Sequence, residues 1–406
     1  FTGGGGSGAA AAASIYSGNA QLTITALGDQ QVDNYGYVGP QAQTDPFNKQ
    51  KISRHYGFGG TQGTVTIGGQ AATVTGWNDT TITVQVPASI PAAANTCSIA
   101  QQGYSGTPAQ CGQLVITTAA GKQSIDTVTV TIGGKAPTRV SPGPGAIQAA
   151  IDKAAPGDLL MVAPGVYDEM VLMWKPLRLQ GVGAASSIID ANPHPAGKLD
   201  PWRRQVVCLF GLALDGTAVT PKNQYDPSGT FSCSPDMYFS VDRLPLEATV
   251  GWDATLNGNL AEQLIEPTLM GAFEGAGITV LSKGVKFPDP SQAFAADTFP
   301  TGTTLLTAAD CDDGSGHNPY PGNFWCNPSS IDGLTVRNSS QGGGGILVHG
   351  WGHNLQISND RVTENQGTLT GGITVGQGEH PGIYVAGGGA TNAAPGSCVS
   401  DARLAA

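Results

Sequence analysis

The sequence predicts an all-β chain in which a two-sheet β-sandwich is followed by a right-handed parallel β-helix, with an N-terminal capping helix and two long disulfide-clamped insertions. Three observations predict it. Ile147 to Gly183 reads as one short amphipathic helix followed by very short apolar runs. Gly-Ile-x-Val recurs at Gly277, Gly345, Gly372 and Gly382, and internal repetition is what a solenoid requires. Upstream, three runs alternate at period two between Gly and Pro turns, as half-buried strands do.

Composition sets the frame. Charged residues are 12% of the 406, where roughly 25% is usual, and 59 glycines with abundant Thr, Val and Ile favour turns and strands over helices. A net charge of -11 argues against nucleic acid or an anionic membrane as partner, because phosphate binding needs clustered Lys and Arg. Neutral polysaccharide, cations, another surface or matrix protein, and further copies of the chain stay open as partners. No run of about 18 apolar residues marks a transmembrane segment.

Residues 1–14, FTGGGGSGAAAAAS, read as a low-complexity tether. Residues 15–55 carry one alternating run, Gln21 to Thr25, and are left unassigned between strand and extended wrapping. A β-sandwich is expected over 56–135, from Gly63 to Ile67, Thr80 to Val86 and Ile125 to Ile132. Residues 136–145, with three prolines between Lys135 and Pro144, read as a stiff linker.

The β-helix is assigned to 146–406. Ile147, Ala150, Ile151 and Ala154 share one helical face, and Pro156-Gly157-Asp158 stops the helix. Leu159 to Val162, Val171 to Met173 and Leu177 to Leu179 are strands too short for an ordinary sheet. A helix over the first coil would cover backbone groups otherwise open to another chain. Irregular insertions are expected over about 191–266 and 287–330. The cleanest repeat has a period of 27, pairing Asn338 with Asn365, Ile346 with Ile373, Val348 with Val375 and His353 with His380. Strands stacked roughly 4.8 Å apart would make such pairs lateral neighbours.

Six cysteines fall into sequential pairs, Cys97 with Cys111, Cys208 with Cys233 and Cys311 with Cys326, and disulfides are the natural reading, each loop closure worth ~3 kcal/mol in an oxidising compartment. Cys398 is left over, and the chain begins at Phe1. Together these read as a piece of a longer extracellular or cell-surface protein whose β pattern is cut at Ala406.

Two segments resemble known families. The pattern Ile-Gln-x-Ala-Ile, Pro-Gly-Asp, Pro-Gly-x-Tyr and Lys-Pro-Leu between Ile147 and Leu177 is similar to the N-terminal cap of the pectin-lyase-like β-helix family. Gly57 to Pro87, with Gly-Phe-Gly, Val-Thr-Ile-Gly-Gly, Trp77 and Ile-Thr-Val-x-Val-Pro, resembles the immunoglobulin-like IPT/TIG domains, which act mostly as spacers or adhesion modules. The first resemblance implies a fold often used on acidic polysaccharides, with carboxylates holding Ca²⁺ and an Arg or Lys taking the proton.

Candidate chemistry is thin. Trp351, between two glycines, could offer a platform to the apolar face of a sugar, with His353 and His380 donating hydrogen bonds. His349, His353, Glu379 and His380 could instead hold a transition metal. Asp310, Asp312 and Asp313 precede Gly314 and would suit Ca²⁺, although the closing bidentate glutamate is missing. Asp332 and Arg337 in one coil and Asp360, Arg361 and Glu364 in the next are the candidates for catalysis, the last three as possible acid or base groups. Stacked carboxylate pairs of the glycosidase kind are not evident. No cofactor is required, with Ca²⁺ as the one cation the oxygens would fit. The reading is therefore an extracellular structural or adhesive stalk, fibre or matrix component with a glycan-binding face. The alternative is a polysaccharide lyase or glycoside hydrolase working in a groove of the coils.

Overall fold

In the computed structural model, the described residues are 2–4, 15–16, 20–97, 99–124, 127–192, 202, 205, 276–286, 304–340, 344–348, 351–367 and 371–375. The chain divides into two compact units, one of residues 1–98 and 109–137, the other of 99–108 and 138–406.

The first unit pairs its strands antiparallel almost throughout. One sheet runs in the order Thr2–Gly4, Gln21–Thr25, Thr81–Gln85, Thr73–Trp77. The other runs Ile15–Tyr16, Thr129–Ile132, Gln110–Thr117, Thr64–Ile67, Gln70–Ala71. Alternation does the sorting: Leu22, Ile24, Ile82 and Val84 from one sheet share a single core with Val65, Ile67, Leu114, Ile116 and Val130 from the other, as two facing β layers require. Cys97 is bonded to Cys111.

Two boundaries move. Gln21 to Thr25 pairs residue for residue with Gln85 to Thr81, so the sandwich starts well before residue 56. The expected tether supplies Thr2–Gly4, paired with Gln21 to Thr23, and the segment read as unassigned supplies Ile15–Tyr16, parallel to Thr131 and Ile132. A strand ladder uses backbone groups alone, so glycine-rich sequence with no alternation can still add to an edge.

The second unit is a parallel β-helix of four described coils. Helix α1 (Ala146–Lys153) packs Ile147 and Ile151 onto its first coil. The first sheet stacks Thr138–Val140, Leu159–Val162, Arg178–Gly181, Ser329–Asp332 and Leu355–Ser358. A second stacks Gly165–Tyr167, Ser187–Asp190, Thr335–Arg337 and Arg361–Val362, and a third Val171–Met173, Ile278–Val280, Ile346–Val348 and Ile373–Val375. All three are parallel. The core column includes Leu160, Leu179 and Ile331 from successive rungs of the first sheet, and Met173, Val280 and Val348 from the third.

The expected linker is half rung: Thr138 to Val140 pairs with Leu160 to Val162, since the prolines flank these three residues and leave their donors free. The 27-residue repeat appears in the third sheet, where Ile346, Leu347 and Val348 pair with Ile373, Thr374 and Val375. Across the other two sheets the spacing is 26, as Ser329 with Leu355 and Thr335 with Arg361. The additional residue thus falls between Val362 and Ile373.

Both ends of α1 are closed by buried charge. Glu169 accepts the Ile147 and Gln148 backbone N–H groups at 2.9 and 3.0 Å, and Lys175 donates to the Asp152 and Ala154 carbonyls at 2.9 and 2.7 Å. An anion at the amino end and a cation at the carboxyl end oppose the helix dipole and satisfy its orphan groups. Burial nevertheless pushes the Glu169 carboxyl above its usual range, against those N–H bonds.

Of the insertions, the structure describes residues 191, 192, 202 and 205 from the first and 304–330 from the second, where Cys311 is bonded to Cys326. The second ends as a rung, because Ser329 and Ser330 already belong to the first sheet. Cys208, Cys233, Cys398 and the Gly382 repeat lie outside the described residues.

Candidate functional site

Trp351 is not where its flanking glycines suggested. It is 6% exposed, and its indole lies so close to Gly284 that a Cβ there would sit 1.9 Å from the ring. The glycine makes room for the ring, and Trp351 serves as packing on the coil. His353, two residues on, leaves this pocket and stacks on Trp325, with ring centroids 4.0 Å apart and an interplanar angle of 21°.

Trp325 is the side chain the sequence reading missed. It is 36% exposed, although Phe324 and Cys326 on either side are buried. Its backbone N–H donates to Asn323 Oδ1 at 3.1 Å, and the Cys311 bridge holds the next residue. The legible signal was an aromatic residue beside a bridged cysteine in a turn-rich insertion. A Trp held in one orientation by a disulfide, a turn and a stacked imidazole presents a rigid apolar surface at low entropic cost.

Coil stacking brings together a second group. Asp332 is buried and accepts Ser358 Oγ at 2.9 Å and Asn359 Nδ2. Asp360 Oδ1 accepts the Leu334 N–H at 2.8 Å. Asp360 is half-buried as a residue, but its Oδ2 is sealed from solvent with no hydrogen-bond partner among the described residues. Burial holds the Asp360 carboxyl well above the usual range; the Leu334 N–H opposes this and the nearby Asp332 charge adds to it. The two carboxyls thus lie in adjacent coils, near enough for the charge of Asp332 to act on Asp360.

Arg337 does not join them. Arg337 donates instead to Asp190, Nη2 at 3.0 Å and Nε at 3.1 Å, and Asn338 Nδ2 shares that carboxylate. Arg361 is exposed, and Glu364 sits in a left-handed turn with φ 57°.

The acids of this loop bond to its own backbone and to neighbouring side chains. Asp310 Oδ2 accepts the Thr307 N–H and hydroxyl at 2.8 and 3.0 Å, and Lys286 binds its other oxygen. Asp312 Oδ1 accepts the Gly314 and Gly316 N–H groups at 2.7 and 2.8 Å. Asp313 Oδ1 accepts the Ser315 N–H and hydroxyl, which lower its pKa. These are Asx turns, and Asp spacing alone does not separate them from a calcium loop. Among the described residues no group of three or more His, Cys, Asp or Glu is placed to hold a metal. His349, Glu379 and His380 lie outside the described residues.

No helix among the described residues is long and apolar enough to cross a membrane. No family model matches the chain, and no curated protein matches it. Among solved structures the chain is similar to the Family 28 exopolygalacturonase of Yersinia enterocolitica, at 12% identity over 73% of this chain and 54% of that one, with a TM-score of 0.19. The chain therefore spans about half the length of that protein. A likeness so slight carries no argument about chemistry, and the β-helix rests on the three parallel sheets themselves.

Proposed function

We propose that the chain is an extracellular or cell-surface structural and adhesive protein, with a β-solenoid that displays a carbohydrate-binding face at Trp325 and His353. The single observation carrying this reading is the Trp325 ring, solvent-facing yet held by the His353 stack and the neighbouring disulfide. Sugar rings present apolar C–H faces that suit a flat indole, and a histidine beside it adds a polar edge. Two disulfides among the described residues suit an oxidising compartment. We read the first unit as an IPT/TIG-like spacer on the Gly-Phe-Gly to Ile-Thr-Val-x-Val pattern, and the coils as right-handed, as nearly all parallel crossovers are.

Retention on immobilised polysaccharides tests it. Trp325→Ala is expected to weaken retention about tenfold, a loss of ~1.4 kcal/mol, without changing the unfolding midpoint. Unchanged retention overturns the site.

A second reading has one observation in its favour, the Asp332 and Asp360 pair. A carboxyl whose pKa is raised by burial, Asp360, beside a second carboxyl, Asp332, is the kind of pair from which a glycoside hydrolase draws its acid and its base, provided the coil opens to admit the glycan to these buried groups. New reducing ends from polygalacturonate or a neutral glycan, abolished by Asp360→Asn, would favour this enzyme over the adhesin.

A further inference from the structure

The first unit carries a long excursion that its core does not need. Gly28–Asp33 and Lys51–Tyr56 form a two-stranded antiparallel hairpin, closed by residues 34–50. No residue from 27 to 56 enters the sandwich core or packs against it. Yet five of the nine exposed large apolar side chains among the described residues lie here, with Tyr35 97% and Val38 76% exposed, beside Leu27, Phe47 and Tyr56. A hairpin outside the sheets is marginal by itself, so something else must hold it in shape.

Polar clamps do so. Asn34 Nδ2 donates to the Pro46 and Lys49 carbonyls at 2.8 and 2.9 Å, and its Oδ1 accepts the Gly36 N–H. Val38 N–H donates across the loop to the Phe47 carbonyl at 3.0 Å. Lys49 pairs with Asp45 and Lys51 with Asp33. At the base, His55 sits 2.7 Å from a carboxylate oxygen of Asp29 on one ring nitrogen and of Asp79 on the other. Phe47 lies against Gly36, where a Cβ would sit 3.4 Å from its ring. The loop thus spends its hydrogen bonds on order and leaves its aromatic residues outside.

We propose that this hairpin is a second carbohydrate contact, directed at neutral polysaccharide. Its charges decide the class. Between residues 27 and 56, Asp29, Asp33 and Asp45 balance Lys49, Lys51 and Arg54, and His55 is matched by Asp79 at the base, whereas the whole chain carries -11; the Asp29, Asp33 and Asp45 carboxylates are each engaged within the unit. No net field remains to steer a uronate, a phosphate or a charged protein patch. The surface around the turn offers ring faces, from Tyr35 and Phe47, and the exposed amides of Gln41, Gln43 and Gln50, with Arg54 the one exposed cation of the hairpin outside those ion pairs. Rings cover the C–H faces of pyranoses and amides donate to and accept from hydroxyls.

The test uses the full chain in a Trp325→Ala background, so that the solenoid site and the hairpin are read apart. Depletion is measured on amorphous cellulose, mannan and chitin, with polygalacturonate and a protein-coated matrix as contrasts. Retention is expected on at least one neutral polymer, to persist at high salt, and to fall about tenfold in Tyr35→Ala/Phe47→Ala. Tyr35→Lys, which touches no clamp, is expected to lower it as well, and equal unfolding midpoints show that folding is intact. The proposal is overturned by no retention on any neutral polymer, by retention equal in the variants, or by binding confined to polygalacturonate or protein. Loss in Trp325→Ala alone, with the hairpin variants silent, would sink the hairpin and leave the solenoid site standing.

Discussion

In the sandwich, Thr81–Gln85 turns Ile82 and Val84 inward and its threonines outward. In the coils, Arg178–Gly181 is buried at all four positions. The difference follows from how many sides of a strand are covered. A sandwich strand has one wet face, so its core is apolar and its buried polar side chains are few, Thr127 and Thr131 among the described residues. Some coil strands are buried along their whole length, Arg178–Gly181 among them, while Gly165–Tyr167 and Leu355–Ser358 keep exposed positions; across strands and turns, Glu169, Lys175, Arg178, Gln180, Lys283 and Asp332 are all buried in the second unit. Buried charge has to be hydrogen-bonded or neutralised. The solenoid is therefore where shifted protonation equilibria collect, and the sandwich keeps its charges on the surface.

Three measurements would break or sharpen that contrast. The largest effect should come from Leu179→Ala, which empties a fully buried position in the coil core and should cost about 3 kcal/mol. Urea unfolding checks it, and a loss below 1 kcal/mol would mean that stacked coils collapse around a cavity more readily than a packed core should.

Next comes Asp360→Asn. The folded-state pKa of Asp360 is raised, so its contribution to stability is complete below the unfolded carboxyl value of about 4 and is lost as pH rises through the folded value. Wild type should lose stability relative to Asp360→Asn between mildly acidic and neutral pH, with Asp152 and Glu169, also raised by burial, leaving a residual slope. Parallel pH profiles of the two proteins would refute the assignment.

The smallest effect belongs to the surface clamp in the first unit. Hydrogen bonds to Asp29, then to Asp79, raise the His55 pKa. A neutral imidazole could donate to only one of the two carboxylates. The clamp is therefore complete below the ordinary imidazole pKa of about 6.5 and loosens as pH rises through the raised value. An NMR titration should show a lower His55 pKa in both Asp29→Asn and Asp79→Asn. Coincident curves would show that the exposed pair is screened away.

Much of this architecture was legible where the pattern is local. Ile147 and Ile151 share a helical face whatever follows them, and the Gly-Ile-x-Val copies at 345 and 372 meet in register. Legibility failed where a partner is remote. Nothing near Thr138 announces that its rung lies at Leu160, and nothing near Trp351 announces Gly284. The acids at 310, 312 and 313 failed differently, because one spacing serves a calcium loop and a run of Asx turns equally well.

Sequence alone determined the periodicities, and with them an alternating sandwich, a capped stack of short strands and two of the cysteine bridges. Tertiary structure decided which aromatic ring meets solvent, which carboxyl has its pKa raised by burial and which strands complete each sheet. The reason is physical: side-chain period is a property of consecutive residues, whereas exposure and pKa depend on what the rest of the chain lays against each group.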